Sequence, residues 1–547
     1  MKTTKRAVLK KVTLLGLGLS LAFAGNALAD RKEKEKDTPK NVKMATAWLT
    51  GDFHQHTLYT DGSTTFDFVM EKNNAYGLDW WTNSEHGGSR NRDGNGNYWD
   101  DPLIYPVNPI LGDPAYSGGH QVMWRWQSLR DFAFPDILRN RALYSDKQII
   151  SGLEWNVPGH EHCSTGIVAD DASAVSAFEY QFDASDRDTS REGESTPYGN
   201  LEKQNVAHAD AVAGCAWMQE QYEDGTIDEG YIVFAHPERR GTAATGGYDV
   251  NDFRDLNNAG PDVCFGFEGA PGHQVNSSRG GFGSSAFGGT YGGAGYYTAK
   301  VGGLWDAMLG EGRHWFNFAN SDYHKHYTVG GDDFYPGEYQ KTYINARDTD
   351  GDGEFSRAEV VQALRSGNAF HVMGDLIDAL QFDAQSSRRK VAMGETLQVK
   401  NGEDVKIKIK FKSPTVNQNG DTPAVDHIDL IAGDITGMIE PGTPAYTDPT
   451  NPTTRVIATF NASNWKECDI DEDGYTTMVF KLKNVEKSMY FRLRGSNVPP
   501  CSEYETDCDG NPLADSLATE FLGLDGAEEA YADLWFYSNP IFVEVGK

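Results

Sequence analysis

The sequence predicts an α/β domain of the barrel type followed by an antiparallel β-sandwich domain. In the first part of the chain, short apolar runs such as QIISGLEW and GYIVFAHP alternate with helix-like stretches, and each run ends in polar or ionisable residues. Strands buried on both faces have this composition, and α/β barrels collect their chemistry at the carboxyl ends of such strands. After residue 374 apolar and polar residues alternate, as in VKIKIKFKS, with Gly, Asn and Asp at the breaks. This alternation is typical of antiparallel sandwiches.

Four segments follow from these patterns. Residues 1–29 have a basic start, an apolar run and a closing Ala-Leu-Ala, which predicts a secretory signal peptide. Residues 30–44 are a polar, lysine-rich linker, residues 45–375 the barrel domain and residues 376–547 the sandwich. The apolar run of the leader is too short to span a bilayer. We therefore expect a periplasmic or secreted protein without a membrane span.

Charge and cysteine content narrow the range of partners. The 547 residues carry a formal net charge of −31, and no cluster of Lys or Arg that would serve as a nucleic-acid-binding patch follows the leader. Such a surface repels phosphates, which argues against a nucleic-acid partner. Among the six cysteines, Cys501 and Cys508 flank a short acidic loop and are the pair predicted to form a disulfide. No Cys-x-x-Cys spacing is present, which disfavours a thiolate zinc site.

The first chemical motif is GDFHQHTLYTDGS, which contains His54, His56 and Asp61. In a strand, residues i and i+2 point to the same face, so the two imidazoles form a ready chelate for a metal. Taken alone, such a pair is as often two surface histidines on an edge strand.

Further imidazoles and carboxylates follow the other apolar runs of the first domain. They are His86, Glu154, His160, His162, His236, Asp322 and His324. This inventory exceeds the four ligands of a typical zinc site. It suits two or three divalent transition metals, Zn, Mn or Fe, that share a carboxylate. Glu154 ends an apolar strand without a basic neighbour in sequence, and a metal would compensate the cost of burying its charge.

The order His-x-His with a following Asp-Gly, then Glu-His, Gly-x-Glu, His, His-Pro and Ser-Asp-x-His resembles the PHP (polymerase and histidinol phosphatase) superfamily over residues 45–374. The resemblance implies a distorted (β/α)7 barrel with a trinuclear metal site at the carboxyl ends of its strands. It implies metal ligands at His54, His56, Asp61, His86, Glu154, His236, Asp322 and His324. Glu154 is the implied bridging carboxylate. His160 or His162 supplies the remaining ligand, and the Gly-His context favours His160.

Two other pairs of residues are candidates for contact with substrate. In HPERRG, Arg239 or Arg240 can bind a phosphoryl oxygen bidentately, with Arg240 as the catalytic candidate; the alternative is a pair of surface residues. Glu268 and His273 follow another strand and either contact substrate or protonate the leaving group. Glu154 and Asp322 complete the catalytic candidates.

A second cation site is predicted in the segment DTDGDGEFSRAE, residues 348–359. Its spacing matches the calcium loop of EF-hands, with the turn glycine at Gly353. The matching ligand positions are Asp348, Asp350, Asp352, Glu354 through its backbone carbonyl, Ser356 and Glu359. The alternative is an acidic turn without an ion.

These observations lead us to expect an exported phosphoesterase that hydrolyses a small phosphomonoester or phosphodiester with a hydroxide held between metals. The same site chemistry permits hydrolysis of a carbamate, ester or amide. A rival from another class is a non-catalytic extracellular protein that binds metal or carbohydrate. The clustering of so many histidines argues against this rival.

Overall fold

The structure is a computed structural model, and it describes residues 44–282, 287–465 and 470–546. The predicted signal peptide and residues 30–43 of the predicted linker lie outside these ranges, as does Cys468. No helix in the described ranges is long and apolar enough to cross a lipid bilayer. Residues 44–375 are referred to below as the N-terminal region and residues 376–546 as the C-terminal region.

The N-terminal region alternates strands and helices. Its strands are β1 (Thr46–Asp52), β2 (Trp80–Asn83), β3 (Ser89–Arg90), β4 (Tyr116–Ser117), β5 (His120–Gln121), β6 (Met123–Trp124), β7 (Gln148–Asn156), β8 (His162–Val168), β9 (Ser195–Thr196), β10 (Gly199–Asn200), β11 (Glu229–Phe234), β12 (Cys264–Ala270), β13 (Phe316–Ala319), β14 (Gln340–Arg347) and β15 (Ala369–Met373). Its α-helices are Phe66–Ala75, Arg125–Ser128, Phe134–Leu143, Ser173–Phe182, His208–Glu223, Val250–Ala259, Tyr296–Ala299, Leu304–Gly310 and Arg357–Ser366.

The C-terminal region consists mainly of strands. They are β16 (Ala379–Gln385), β17 (Lys390–Ala392), β18 (Thr396–Lys400), β19 (Glu403–Lys412), β20 (His427–Asp434), β21 (Arg455–Asn461), β22 (Thr476–Val485), β23 (Met489–Ser496), β24 (Trp535–Ser538) and β25 (Ile541–Gly546). The α-helices are Asp515–Leu517 and Gly526–Ala532. Cys501 and Cys508 form the predicted disulfide in the loop between β23 and β24.

One large sheet runs through both regions in the order β13-β12-β11-β8-β7-β2-β1-β14-β15-β24-β23-β20-β21, and β25 joins β23 and β18. Its parallel pairs are β1–β2, β2–β7, β11–β12, β12–β13 and β18–β25. Strands β15 and β24 pair across the predicted domain boundary at residue 375. The division of the chain into two domains stays a prediction.

The distorted (β/α)7 barrel expected from the sequence is not confirmed, and no closed barrel is found among the described strands. β8 lies antiparallel to β7, because the connection between them has only five residues and a parallel crossover needs a dozen or more. β8 is also antiparallel to β11, its neighbour on the other side. No ladder between described strands closes the sheet at β13. Instead, the Thr342 hydroxyl of β14 donates to the Ala319 carbonyl at 2.8 Å and accepts from the Ala319 N–H at 3.0 Å.

A second sheet in the C-terminal region has the order β17-β16-β19-β22, with antiparallel pairs throughout. In β19, Ile407 and Ile409 are buried while Lys406 and Lys408 between them are not. The buried isoleucines belong to the same apolar cluster as Leu430 of the large sheet. Two sheets that share an apolar cluster are compatible with the predicted sandwich, although β18 runs parallel to β25. The sandwich itself stays a prediction.

A buried ion pair joins the two regions. Arg492 of β23 donates from Nε and Nη2 to the two oxygens of Asp306, at 2.8 and 2.7 Å, and both side chains are fully buried. The Tyr490 hydroxyl and the Gly302 N–H donate to the same carboxylate at 3.0 and 2.7 Å. Each oxygen of Asp306 therefore has two donors.

Candidate metal centre

The first two histidines lie directly after β1, which ends at Asp52. The Asp52 carboxylate accepts from the backbone N–H groups of His54 and Ser321, at 2.9 and 2.7 Å, and so holds the turn that follows the strand. Burial raises the pKa of Asp52 to about 7 against these hydrogen bonds. The rings of His54 and His56 are 5.2 Å apart. Both rings therefore lie in the same site, although β1 ends before them and only Gln55 between them forms a β-bridge, with Tyr323.

Glu154, near the end of β7, is the carboxylate at which most of the imidazoles meet. Its side chain is almost completely buried, at 1% exposure. The imidazole nitrogens within 3.3 Å of its two oxygens belong to His54, His56, His86, His162 and His236. Asp322, which follows β13, lies beside Glu154, and its Oδ1 is 3.1 Å from Nε2 of His54.

Donor atoms of the candidate ligands form overlapping groups, in each of which the atoms lie within 4.8 Å of one another. Three of these groups are His56, Asp61, His86 and His324; His54, Glu154, His236 and Asp322; and His86, Glu154 and His162. Among these three groups, Glu154 and His86 each occur twice. We call the nine residues together the Glu154 cluster. A shared carboxylate between groups of this size is the arrangement expected for a centre with more than one metal ion.

The hydrogen bonding within the Glu154 cluster is incomplete. Some of its buried polar atoms lie close together, such as His86 Nδ1 and Glu154 Oε2 at 2.8 Å, without forming a well-oriented hydrogen bond. In the described part of the chain the buried polar atoms without such a bond include His54 Nε2, both ring nitrogens of His56, His86 Nδ1, Glu154 Oε2, His236 Nδ1 and Asp322 Oδ1. Buried polar atoms are normally satisfied, and leaving one unpaired costs about 1–3 kcal/mol. Imidazole nitrogens and carboxylate oxygens are also the ligands that divalent transition metals prefer. The donor set therefore fits metal ions.

Charge in the cluster favours ionised carboxylates. Burial raises the pKa of Glu154, but His162, His86 and His54 outweigh burial and hold this pKa well below its usual range. Burial likewise opposes ionisation of Asp322, and nearby positive groups, led by His54, lower its pKa well below the usual value. Both groups are thus available as anionic ligands.

The outer edge of the cluster is basic. Burial disfavours the charged form of His324, but Asp61 lies 3.4 Å from Nε2 and the pKa of His324 is raised to about 9. A metal ion would therefore have to displace a proton from His324 at neutral pH.

Three non-glycine residues here have left-handed backbones: His236, His273 and Asp322, with φ of 30°, 56° and 45°. Such conformations cost roughly 1–3 kcal/mol each and concentrate at functional sites. Gly272 leaves room for the left-handed backbone of Asp322, because a Cβ at position 272 would lie 2.1 Å from the Ser321 carbonyl oxygen and 2.3 Å from Cβ of Asp322.

The structure brings His162 to Glu154, and not His160, which the sequence favoured. His162 Nδ1 lies 2.8 Å from Glu154 Oε1. His160 turns away, because its Nδ1 bonds the Gly247 carbonyl at 3.1 Å and its Nε2 contacts His208 at 2.8 Å. A hairpin explains the choice: Asn156 of β7 pairs with His162 at the start of β8, which directs His162 back toward the end of β7.

The two arginines also separate. Arg240, the sequence candidate, pairs with Glu161 at 2.6 Å and keeps a side chain that is 60% exposed. Arg239 instead reaches the cluster: its Nη2 lies 2.8 Å from Asp322 Oδ2, and its Nε donates to the Gly280 carbonyl at 3.1 Å. Sequence analysis missed Glu161, which is buried between these groups, 3.6 Å from Nδ1 of His236. Its position between two histidines in GHEH was the available signal.

His273 and Glu268 occupy different places. His273 Nε2 lies 3.3 Å from Asp322 Oδ2, and its Nδ1 bonds Asp333 at 2.5 Å. Asp333 was also missed; it accepts the His324 N–H at 2.6 Å and the Lys325 N–H at 2.9 Å. Glu268 bonds Nδ1 of His54 at 2.8 Å and the Ser164 hydroxyl at 2.9 Å, so it orients a candidate ligand from behind.

The acidic segment 348–359 follows β14 and includes the first turn of helix Arg357–Ser366. The Asp348 oxygens accept the Gly351 and Gly353 N–H groups, and Asp350 and Asp352 each accept the N–H two residues on. Glu359 accepts the Ser356 N–H at 2.9 Å and caps the helix. Burial raises the pKa of Glu359, but hydrogen bonds from Ser356 and Thr349 lower it overall. Calcium binding, including the backbone role of Glu354, stays a prediction.

Sequence comparisons find no related protein, and a structural comparison finds a distant similarity. No protein-family profile matches this chain, and no curated protein matches it. One similar solved structure is a two-domain protein from Bacteroides vulgatus, described as containing a predicted PHP-like metal-dependent phosphoesterase. It is 12% identical, with 85% of this chain and 93% of that chain covered, and its TM-score is 0.32. A score this low does not by itself establish a common fold.

Proposed function

We propose that the protein is an exported, metal-dependent phosphoesterase of the PHP type whose active site is the Glu154 cluster. The observation that carries this proposal is the convergence on Glu154 and Asp322 of buried imidazole and carboxylate atoms that form no well-oriented hydrogen bond within residues 44–282, 287–465 and 470–546. The proposed metal ligands are His54, His56, Asp61, His86, Glu154, His162, His236, Asp322 and His324. The proposal includes the signal peptide, a distorted barrel for residues 45–375 and a sandwich for residues 376–547.

Two or three divalent ions, Zn, Mn or Fe, would supply Lewis acidity and lower the pKa of water at this site. Arg239 is the residue proposed to bind a phosphoryl oxygen, since its guanidinium has five N–H donors and the contacts with Asp322 and Gly280 leave some of them free. Arg240 balances the buried charge of Glu161 instead.

His273 is the proposed general acid. For this role the ring has to carry a proton on both nitrogens: Asp333 accepts from Nδ1–H and stabilises the imidazolium, and Nε2–H would give its proton to the leaving oxygen. Asp333 is itself held by two backbone N–H groups. His273 is 23% exposed, which leaves its ring accessible from solvent.

The test combines metal analysis with a substrate screen. Protein purified without chelators should contain at least two transition-metal ions per chain and should hydrolyse a phosphomonoester or phosphodiester. A preference for carboxyl or carbamoyl esters over every phosphoester would keep the metal centre but refute the phosphoesterase assignment. Metal-loaded protein that hydrolyses none of these esters would favour the binding-protein alternative.

We also propose that loop 348–359 binds calcium. A bound ion would stabilise the fold by mass action. Calcium should therefore raise the melting temperature of the wild type, and Asp350→Ala should abolish the increase. The control is Asp509→Ala, an exposed aspartate in another loop, which should retain it. Equal melting temperatures of the wild type with and without calcium would refute the site.

A further inference from the structure

His160 and His208 form a second pair of facing imidazoles, separate from the Glu154 cluster. His160 lies in the loop between β7 and β8, and His208 is the first residue of helix His208–Glu223. Nε2 of His160 is 2.8 Å from Nδ1 of His208, and Oδ1 of Asp252 is 3.9 Å from the same Nδ1. One donor atom from each of the three residues lies within 4.8 Å of the others.

The outer nitrogens determine which protons the inner nitrogens can carry. Nδ1 of His160 faces the Gly247 carbonyl oxygen at 3.1 Å, and Nε2 of His208 faces an oxygen of Asp255 at 3.4 Å. Both partners only accept, so each outer nitrogen is an N–H that donates to its partner. The two inner nitrogens, 2.8 Å apart, can then share one cation, which is either a proton or a metal ion.

The surroundings have the form of a metal site with supported ligands. A carbonyl and a carboxylate behind two histidines are the usual outer partners of metal-binding imidazoles. The Tyr446 hydroxyl of the C-terminal region donates to Asp255 at 2.7 Å and holds it in place. Asp252 uses Oδ2 to accept the Asp249 N–H at 2.7 Å, while Oδ1 faces His208.

We propose that His160, His208 and Asp252 bind a divalent transition-metal ion, Zn²⁺ by preference, at a second site. Two imidazoles and one carboxylate match the ligand types of zinc, and three protein ligands leave a coordination position for water. The site joins the β7–β8 loop to helices His208–Glu223 and Val250–Ala259. This inference does not rest on the proposed phosphoesterase activity.

The test counts zinc ions per chain after chelator treatment, zinc loading and desalting. His208→Ala removes one ligand at a half-exposed position, with the side chain 34% exposed. The matched control is His120→Ala, which removes an imidazole of similar exposure that pairs with Asp100 elsewhere. We expect the wild type and His120→Ala to retain one more zinc ion per chain than His208→Ala. Equal counts in all three proteins would overturn the proposal.

A second comparison separates this site from the Glu154 cluster. In a Glu154→Gln background, which weakens the cluster, adding His208→Ala should lower the zinc content by a further one ion per chain. No difference between Glu154→Gln and Glu154→Gln/His208→Ala would show that a shared proton, and not zinc, lies between the imidazoles. This zinc count does not depend on catalysis, so it would remain valid if the protein had no phosphoesterase activity.

Discussion

Glu154 and Asp306 are both buried carboxylates, but they are neutralised in different ways. Asp306 receives a bidentate guanidinium from Arg492, a tyrosine hydroxyl and a backbone N–H, so its hydrogen bonding is complete. Glu154 is surrounded by imidazoles, and its Oε2 makes no well-formed hydrogen bond in the described residues, although His86 Nδ1 lies 2.8 Å away. The difference indicates that Asp306 stabilises the junction of the two regions, whereas Glu154 has the surroundings expected of a metal ligand.

Glu154→Gln should produce the largest change in activity. A neutral amide is a poor bridge between two cations, so we expect loss of measurable hydrolysis and of at least one bound metal ion. In chelator-treated protein the fold should be retained, because the substitution removes a charge from an unsatisfied site. Activity assays, metal analysis and circular dichroism check the three parts.

The same variant can also refute the distinction drawn between Glu154 and Asp306. Wild-type activity and metal content in Glu154→Gln would show that Glu154 is an ordinary buried carboxylate like Asp306.

Asp306→Asn should produce the largest change in stability. It leaves the buried guanidinium of Arg492 without its counter-charge, and breaking a buried ion pair on one side costs about 3–5 kcal/mol. Denaturant unfolding should show this loss, while metal content per folded chain stays that of the wild type. A loss of metal in the folded variant would mean that the junction and the Glu154 cluster are not independent.

The sequence predicted the cluster better than the junction. The candidate ligands occur in short motifs that follow apolar runs, so local patterns identify them. The Asp306–Arg492 pair joins residues 186 positions apart, and no local pattern connects them. Which histidine approaches Glu154, His162 or His160, likewise depends on the β7–β8 hairpin. Which arginine approaches Asp322, Arg239 or Arg240, depends on how the two side chains are directed. The parallel strands were predicted from apolar runs, but the antiparallel β8 was not, because buried strands of either direction share that composition.

Arg239→Ala and Arg240→Ala form a matched pair with a smaller expected effect. A charge-assisted hydrogen bond to a phosphoryl group is worth roughly 1.5–3 kcal/mol, so Arg239→Ala should lower kcat/KM for phosphoesters by about one to two orders of magnitude. Arg240→Ala should change it much less, because this side chain faces Glu161 and solvent. Steady-state kinetics measure both, and an equal or larger effect of Arg240→Ala would contradict the assignment.

His371 is a third kind of buried polar group, and its substitution is expected to have the smallest effect on stability. Its ring packs on Tyr537 at the β15–β24 junction, and neither ring nitrogen has a hydrogen-bond partner in the described residues. Burial lowers its pKa from 6.5 to about 3. Below pH 6.5 the unfolded chain binds a proton that the folded chain does not. The contribution to stability is therefore complete above pH 6.5 and is lost as the pH falls toward 3.

His371→Phe should remove this pH dependence. Between pH 6.5 and 5.5 the wild type should lose about 1 kcal/mol more than the variant, as measured by denaturant unfolding in chelator. Identical pH profiles would show that His371 is not buried as a neutral ring.

The most direct test of the contrast between Glu154 and Asp306 is a crystal structure with anomalous diffraction at the absorption edge of the metal used for loading. The account predicts two or three anomalous peaks at the Glu154 cluster, within ligand distance of Glu154, and no peak at Asp306. An ordered Glu154 cluster without any anomalous peak, in crystals loaded with zinc or manganese, would contradict it.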